Sequence, residues 1–200
     1  MQKNKTAILL SGGMDSMALA YWKKPEYAIT IDYGQNCAEA EIKASSFFCK
    51  ELDIKHIIVH VGCSSLGSGT LSNNQSLKIA PTEEWWPYRN QLLVTLGCMK
   101  SITLGINILM IGSVRTDGQR HVDGKSEFYS KLNDLVSMQE GNIVIQAPAI
   151  EMDTIELIKK SEIPYSLLLH SHSCHRSNHP CMKCTGCYKN YMIRKQLGID

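Results

Sequence analysis

The sequence predicts an α/β domain in which a five-stranded parallel sheet is covered by helices on both faces, extended by a small C-terminal metal-binding segment. Three observations predict it. Short apolar runs with the length of strands alternate with longer stretches of helical spacing. Each run is apolar throughout instead of alternating with polar residues, the pattern of strands buried on both sides. Four of the eight cysteines, Cys174, Cys181, Cys184 and Cys187, fall within fourteen positions near the end.

The elements follow in order. Thr6 to Leu10 is a strand that stops at Ser11-Gly12-Gly13, and Met14, Met17, Ala18, Ala20 and Tyr21 then carry a helical pattern. Tyr27 to Ile31 is the second strand, closed by Asp32-Tyr33-Gly34, and Ala38 to Leu52 the second helix. His56 to Val61 makes a third strand. Gly62 to Pro87, rich in Gly, Ser, Asn and Thr, reads as loop or mobile chain. Helical spacing returns from Tyr88 to about Ile106, before a buried strand from Ile108 to Ser113. A polar stretch from Arg115 to Lys125 leads to a helix over Ser126 to Gln139, a strand from Ile143 to Gln146, a break at Pro148 and a helix from Asp153 to Ser161.

Composition narrows the function. The 21 basic and 19 acidic residues leave a formal charge of +2, with 44% apolar and 7% aromatic residues. That balance argues against disorder, against a basic nucleic-acid surface and against the aromatic stripe of single-strand binders, so direct nucleic-acid binding is not expected. No apolar run approaches the ~20 residues of a membrane helix, and a soluble, cytoplasmic protein is expected.

The glycine turn carries the first chemical signal. In Ser11-Gly12-Gly13-Met14-Asp15-Ser16 two glycines allow a tight turn that leaves N–H groups at a helix start without partners, where an anion is favoured by those donors and by the helix dipole. Ser11 and Ser16 add hydroxyls, and Asp15 suits the loop itself or a Mg²⁺ ion on phosphate oxygens. By itself such a turn is equally an ordinary βα connection. As a complete string after the first strand it resembles the PP-loop of the ATP pyrophosphatase superfamily, which implies ATP cleavage between the α and β phosphates. It fits neither Gly-Xaa₄-Gly-Lys nor Gly-Xaa-Gly-Xaa-Xaa-Gly.

Cys174, Cys181, Cys184 and Cys187 have the short spacings that close a tetrahedron around Zn²⁺, and a closed four-thiolate site is structural. A redox pair of Cys181 and Cys184 is the competing reading, but such a motif needs no third and fourth thiol. The expected division is a nucleotide-binding domain over residues 1–165 and a zinc-binding segment with its helix over residues 166–200. The histidines of that segment read as polar surface residues.

Further strings fall into line: Asp32-Tyr33-Gly34-Gln35 after the second strand, Pro87-Tyr88-Arg89-Asn90 opening the middle helix, Ile111-Gly112-Ser113-Val114 ending the fourth strand, and Ser173-Cys174. With the glycine turn they resemble the QueC family, 7-cyano-7-deazaguanine synthases, from Thr6 to about Leu197. The resemblance implies an adenine-nucleotide alpha-hydrolase (HUP) type of sheet. It implies ATP, Mg²⁺ and Zn²⁺ as cofactors, and conversion of a 7-carboxy-7-deazaguanine and ammonia to amide and nitrile for queuosine-type tRNA bases. A homodimer is implied as well; the pair Trp85-Trp86 suits an interface or a place over the site, because aromatics favour half-wet positions.

Residue by residue, the resemblance places Ser11, Gly12, Gly13, Asp15, Ser16, Asp32, Gln35 and Gly112 at the nucleotide. Arg89, Asn90, Asp117 and Asp123 fall at the substrate and the four cysteines at zinc, with Asp15, Ser16 and Arg89 closest to the chemistry. Departures accompany it. Cys37 stands where the family has histidine, Gly124-Lys125 where it has Cys-Arg, and Thr154 where it has lysine, leaving Lys125, Lys159 or Lys160 to reach the same phosphate oxygens. Such departures also suit a paralogue that transfers the acyl group to an amine of a partner protein, or a zinc-bearing nucleotide or tRNA binding module without chemistry.

Overall fold

The computed structural model describes residues 4–199. Strands β1 (Thr6–Leu9), β2 (Tyr27–Asp32), β3 (Lys55–His60), β4 (Ile108–Ile111) and β5 (Val144–Gln146) form one sheet in the order β3-β2-β1-β4-β5, and every pairing is parallel. Helices α1 (Met14–Lys23), α2 (Ala38–Glu51) and α6 (Thr154–Ser161) cover one face, while α3 (Arg89–Leu104) and α5 (Ser126–Ser137) cover the other. Two-residue alternation along β1 explains the two layers. Ile8 and Leu10 pack with Met17, Phe48, Leu157 and Ile158, whereas Ala7 packs with Val94, Leu109 and Leu132. Central strands buried on both faces need the continuous apolar runs seen in the sequence.

The expected polar stretch after β4 holds a short helix, α4 (Arg115–Arg120), and a 3₁₀ turn at Val122–Gly124. Residues 62–87 contain two 3₁₀ turns, Ser64–Leu66 and Gly69–Leu71, and the segment is fastened by buried Leu71 and Trp86. Trp86 is 3% exposed and meets the Tyr33 ring edge-on at 4.9 Å, so it belongs to the core beneath this loop and to neither a dimer surface nor a lid. Its large apolar area is what pins a segment with few other apolar residues.

Beyond α6, helix α7 (Tyr165–Leu168) leads to the cysteine-bearing loop and to α8 (Thr185–Leu197). Ile193 of α8 joins the α1/α6 core, with Leu197 packed against it. None of the described helices is long and apolar enough to cross a membrane.

Candidate functional site

The strand order places β1 and β4 side by side at the centre, with connections running outward in opposite directions from them. At such a switch point the carboxyl ends of the strands open a crevice, and here a cavity of about 310 Å³ occupies it. The glycine turn forms one wall. Gly12 has φ +71°, and a Cβ there would lie 2.8 Å from the Glu41 carbonyl oxygen and 2.9 Å from the Ala44 Cβ, so only glycine fits. Gly13 is the N-cap of α1 and no side chain caps the helix, leaving the first-turn N–H groups beside the cavity. Ser16 Oγ donates to Gly13 O at 3.0 Å and lies 3.3 Å from Ser11 Oγ. Gly112 ends β4 so close to α1 that a Cβ would meet the Ser16 Cα at 2.9 Å.

Across the cavity, α3 starts with Arg89 and Asn90. The preceding residue, Tyr88, adopts left-handed backbone with φ +54°, rare for an aromatic residue and a local strain that turns the chain into the helix. Asn90 Nδ2 donates to the Asp123 carbonyl at 3.0 Å. Burial disfavours the Arg89 charge, but Tyr33, Asp123, Glu41 and Asp117 outweigh it and raise its pKa above the ordinary value. Burial also lifts Glu41 to about 6, against the hydrogen bonds it accepts from Gln35 Nε2 at 2.7 Å and Cys37 Sγ at 3.4 Å.

The cysteine segment closes the third side. His172 N–H donates to Gly12 O at 2.8 Å, tying this segment to the glycine turn. Lys189 of α8 donates to Asp15 Oδ2 at 2.8 Å and stands 3.9 Å from Asp117 Oδ1. The other Asp15 oxygen, Oδ1, is buried without a hydrogen-bond partner. Burial raises the pKa of Asp117, whose Oδ2 accepts from Val114 N–H at 3.0 Å. A polar extension of the cavity reaches Glu84, which bonds Arg120 and accepts from Thr185 Oγ1 at 3.2 Å. Burial works against the Glu84 charge, yet His121, backbone donation and Arg120 hold its pKa at about 2.

The four C-terminal cysteines converge, with their sulfur atoms all within 4.8 Å of one another. Cys181 and Cys187, and likewise Cys174 and Cys184, are 4.0 Å apart, near the edge of a tetrahedron with Zn–S bonds of ~2.3 Å. Backbone N–H groups of His175 and Cys187 each donate to Cys184 Sγ at 3.4 Å. All four thiols meet, so a two-thiol redox pair leaves half the set unused, and the donor set fits Zn²⁺. Gly186 beside them has no room for a Cβ between the Ser173 carbonyl and the His175 ring.

Of the residues expected at the site, Ser11, Gly13, Asp15, Ser16, Arg89, Asn90, Gly112 and Asp117 line the cavity. Gly12 shapes the turn behind it. Gln35 is buried below, donating to Ile31 O and Glu41 and accepting from Tyr33 N–H. Asp32 lies outside the lining, where Oδ1 accepts from Gly34 N–H and Oδ2 pairs with His60 at 3.1 Å. Asp123 takes part through its carbonyl and its charge. Lys125, Lys159 and Lys160 are exposed and outside the lining. Lys189, Tyr33 and Glu41, which were assigned no role from the sequence, line it, and so does His175, expected at the polar surface. The cysteine spacing and the Ser173-Cys174 match pointed to the segment that carries Lys189, and neither named a lysine.

Sheet order, glycine turn and crevice define an α/β nucleotide-binding protein of the PP-loop type. The family model described as "Queuosine biosynthesis protein QueC" matches residues 5–196, and the chain belongs to that family. Among similar proteins are 7-cyano-7-deazaguanine synthase of Chlorobium phaeobacteroides (strain BS1), 25% identical over 98% of this chain and 94% of that one, and 7-cyano-7-deazaguanine synthase 1 of Desulfitobacterium hafniense (strain Y51), 27% identical over 100% and 97%. A solved structure of NMN synthetase from Francisella tularensis matches with a TM-score of 0.49 and 14% identity, over 98% of this chain and 78% of that one.

Proposed function

We propose that the protein uses ATP to adenylate a 7-carboxy-7-deazaguanine-type carboxylate and passes the acyl group to ammonia, giving the amide and then the nitrile. The observation that carries this reading is the uncapped start of α1 beside the partnerless Asp15 Oδ1, in one cavity with Arg89. Family membership and the names of the relatives support it.

The N–H groups of the glycine turn and the hydroxyls of Ser11 and Ser16 hold the phosphates. Arg89 offers its planar fork to the carboxylate, and Asn90 orients the heterocycle edge-on. Asp15 and Asp117 are the residues that would hold Mg²⁺, which when bound supplies positive charge to the leaving pyrophosphate. A carboxylate oxygen attacks the α-phosphorus in line, and the bond to the β-phosphate oxygen breaks with its electron pair on pyrophosphate. Ammonia then adds to the acyl carbon, AMP leaves and a proton is lost. A second adenylation, on the amide oxygen, again releases pyrophosphate, and departure of AMP with loss of both nitrogen-bound protons gives the nitrile. Positioning and charge neutralisation carry the rate, with no covalent nucleophile from the chain.

Incubation of the purified protein with 7-carboxy-7-deazaguanine, ammonium and Mg·ATP should release AMP and yield masses of amide and nitrile. AMP at background overturns the reading. AMP without free amide or nitrile, accompanied by a mass increase on a co-expressed protein, would move the acceptor to a partner amine.

A further inference from the structure

We infer that Lys189, a residue of the cysteine-held helix α8, supplies the cation that meets the α-phosphate of ATP during adenylation. The inference rests on the adenylating reading above and adds a residue to it. Lys189 is the one lysine among the described residues that line the cavity. Its ammonium is aimed at the glycine turn by Asp15 at 2.8 Å, with Asp117 at 3.9 Å on its other side.

Two further observations raise this above an incidental ion pair. First, the position of Lys189 is overdetermined. Cys184 caps α8 by accepting from Cys187 N–H, Gly186 is wedged against Ser173 and His175, and His172 N–H binds Gly12 O in the turn itself. The ammonium therefore enters the site on a rigid element fixed by the same thiols that order the segment, the condition for preorganised charge stabilisation.

Second, the position where the resemblance implies a lysine holds none. Thr154 there is 4% exposed with its Oγ1 unpartnered, and it lines a neighbouring cavity whose wall also includes Asp117 and Lys189. Lys125, Lys159 and Lys160 do not reach it; Lys160 instead lies 5.8 Å from the Trp22 ring.

The division of labour at Asp15 follows. Oδ2 orients the ammonium, and the partnerless Oδ1 is kept for a cation on the phosphates. Lys189 stays protonated throughout and donates N–H groups to the α-phosphate oxygens as the carboxylate attacks and pyrophosphate departs.

The test uses the full zinc-loaded chain, Lys189→Met and the double variant Lys189→Met with Thr154→Lys. Two readouts are AMP formation with the carboxylate and equilibrium binding of Mg²⁺ with α,β-methylene ATP. Lys189→Met should keep its zinc and helical content, lower kcat for AMP by ~10²-fold and weaken the analogue by roughly 10-fold. Adding Thr154→Lys should return at least about a tenth of the lost rate. Unchanged kcat and analogue binding in Lys189→Met overturns the inference. So does loss of zinc by that variant, since the residue would then act through the fold, and so does a folded, zinc-loaded double variant with no recovery. Wild-type protein that binds the analogue but makes no AMP sinks the proposed reaction instead, and analogue binding by Lys189→Met still decides the role of the lysine.

Discussion

The glycine turn and the cysteine loop face each other across one cavity but are held in place by different physics. The turn hangs from β1 and α1, where Ile8, Leu10, Met17, Ala18, Leu19 and Ala20 are all buried to 1% exposure or less. Across the cavity, the loop's own cluster consists of Cys174, Cys184 and Cys187 with Cys181 against it. One region is ordered by apolar area removed from water, the other gathers a donor set of the kind a cation would hold, and only downstream, at Ile193, does its helix reach the common core. The cavity between them therefore has two separate failure modes, and each can be provoked alone.

The largest effect is expected from Cys184→Ser. It removes one of four thiols while leaving a hydroxyl that can still cap α8, so the chain should lose its metal, part of its helical circular dichroism and all AMP formation above background, while the sheet core still unfolds cooperatively in urea. Retained metal and turnover would show that the two regions are not held differently. Next comes Gly12→Ala on the apolar side. A methyl group at φ +71° against the Glu41 carbonyl should destabilise the fold by ~1–3 kcal/mol and displace the phosphate donors, lowering AMP formation by ~10²-fold with the metal content unchanged.

Glu41 gives a smaller, pH-dependent effect behind the turn. Burial raises its pKa to about 6 in the folded protein, against 4.5 as the ordinary value. The folded state therefore holds the proton more tightly than the unfolded chain, and stability falls as pH rises from about 4.5 to about 6, by up to ~2 kcal/mol. Glu41→Gln abolishes that titration, so its melting temperature should gain on wild type across this window and hold the gain above it. A constant difference from pH 4 to 7 would contradict the assignment. Smallest is Arg176→Ala in the cysteine loop. Its ion pair with Glu83 at 3.2 Å is 46% and 72% exposed, and its loss should cost under ~1 kcal/mol without touching metal content. A larger loss would mean that surface charges share the work assigned to the thiols.

Legibility in the sequence tracked how local each feature is. Ser11 to Ser16 form one turn, so six consecutive residues display the uncapped helix start, and the cysteine spacings advertise their own convergence. Asp32 shows the limit. It follows an apolar strand at the sheet edge where ligands bind, but its carboxylate turns to His60 and to Gly34 N–H, a choice set by side-chain direction and the neighbouring strand. Glu41 looks like an ordinary acidic residue in the first turn of α2, and its partners Gln35 and Cys37 become significant only once Arg89 arrives beside them. Trp86 reads as an interface or site-capping residue in a polar loop because the ring that receives it, Tyr33, is far away in the chain.

What the sequence determined by itself was the parallel α/β architecture, the tight glycine turn and the four-thiol set, because each depends on periodicity or on residues a few positions apart. Which charges face the turn was decided by tertiary structure alone. Lys189 and Asp15 are 174 positions apart and meet at 2.8 Å, and no local pattern encodes a contact that exists only after the sheet has closed and the cysteine loop has folded back over its carboxyl edge.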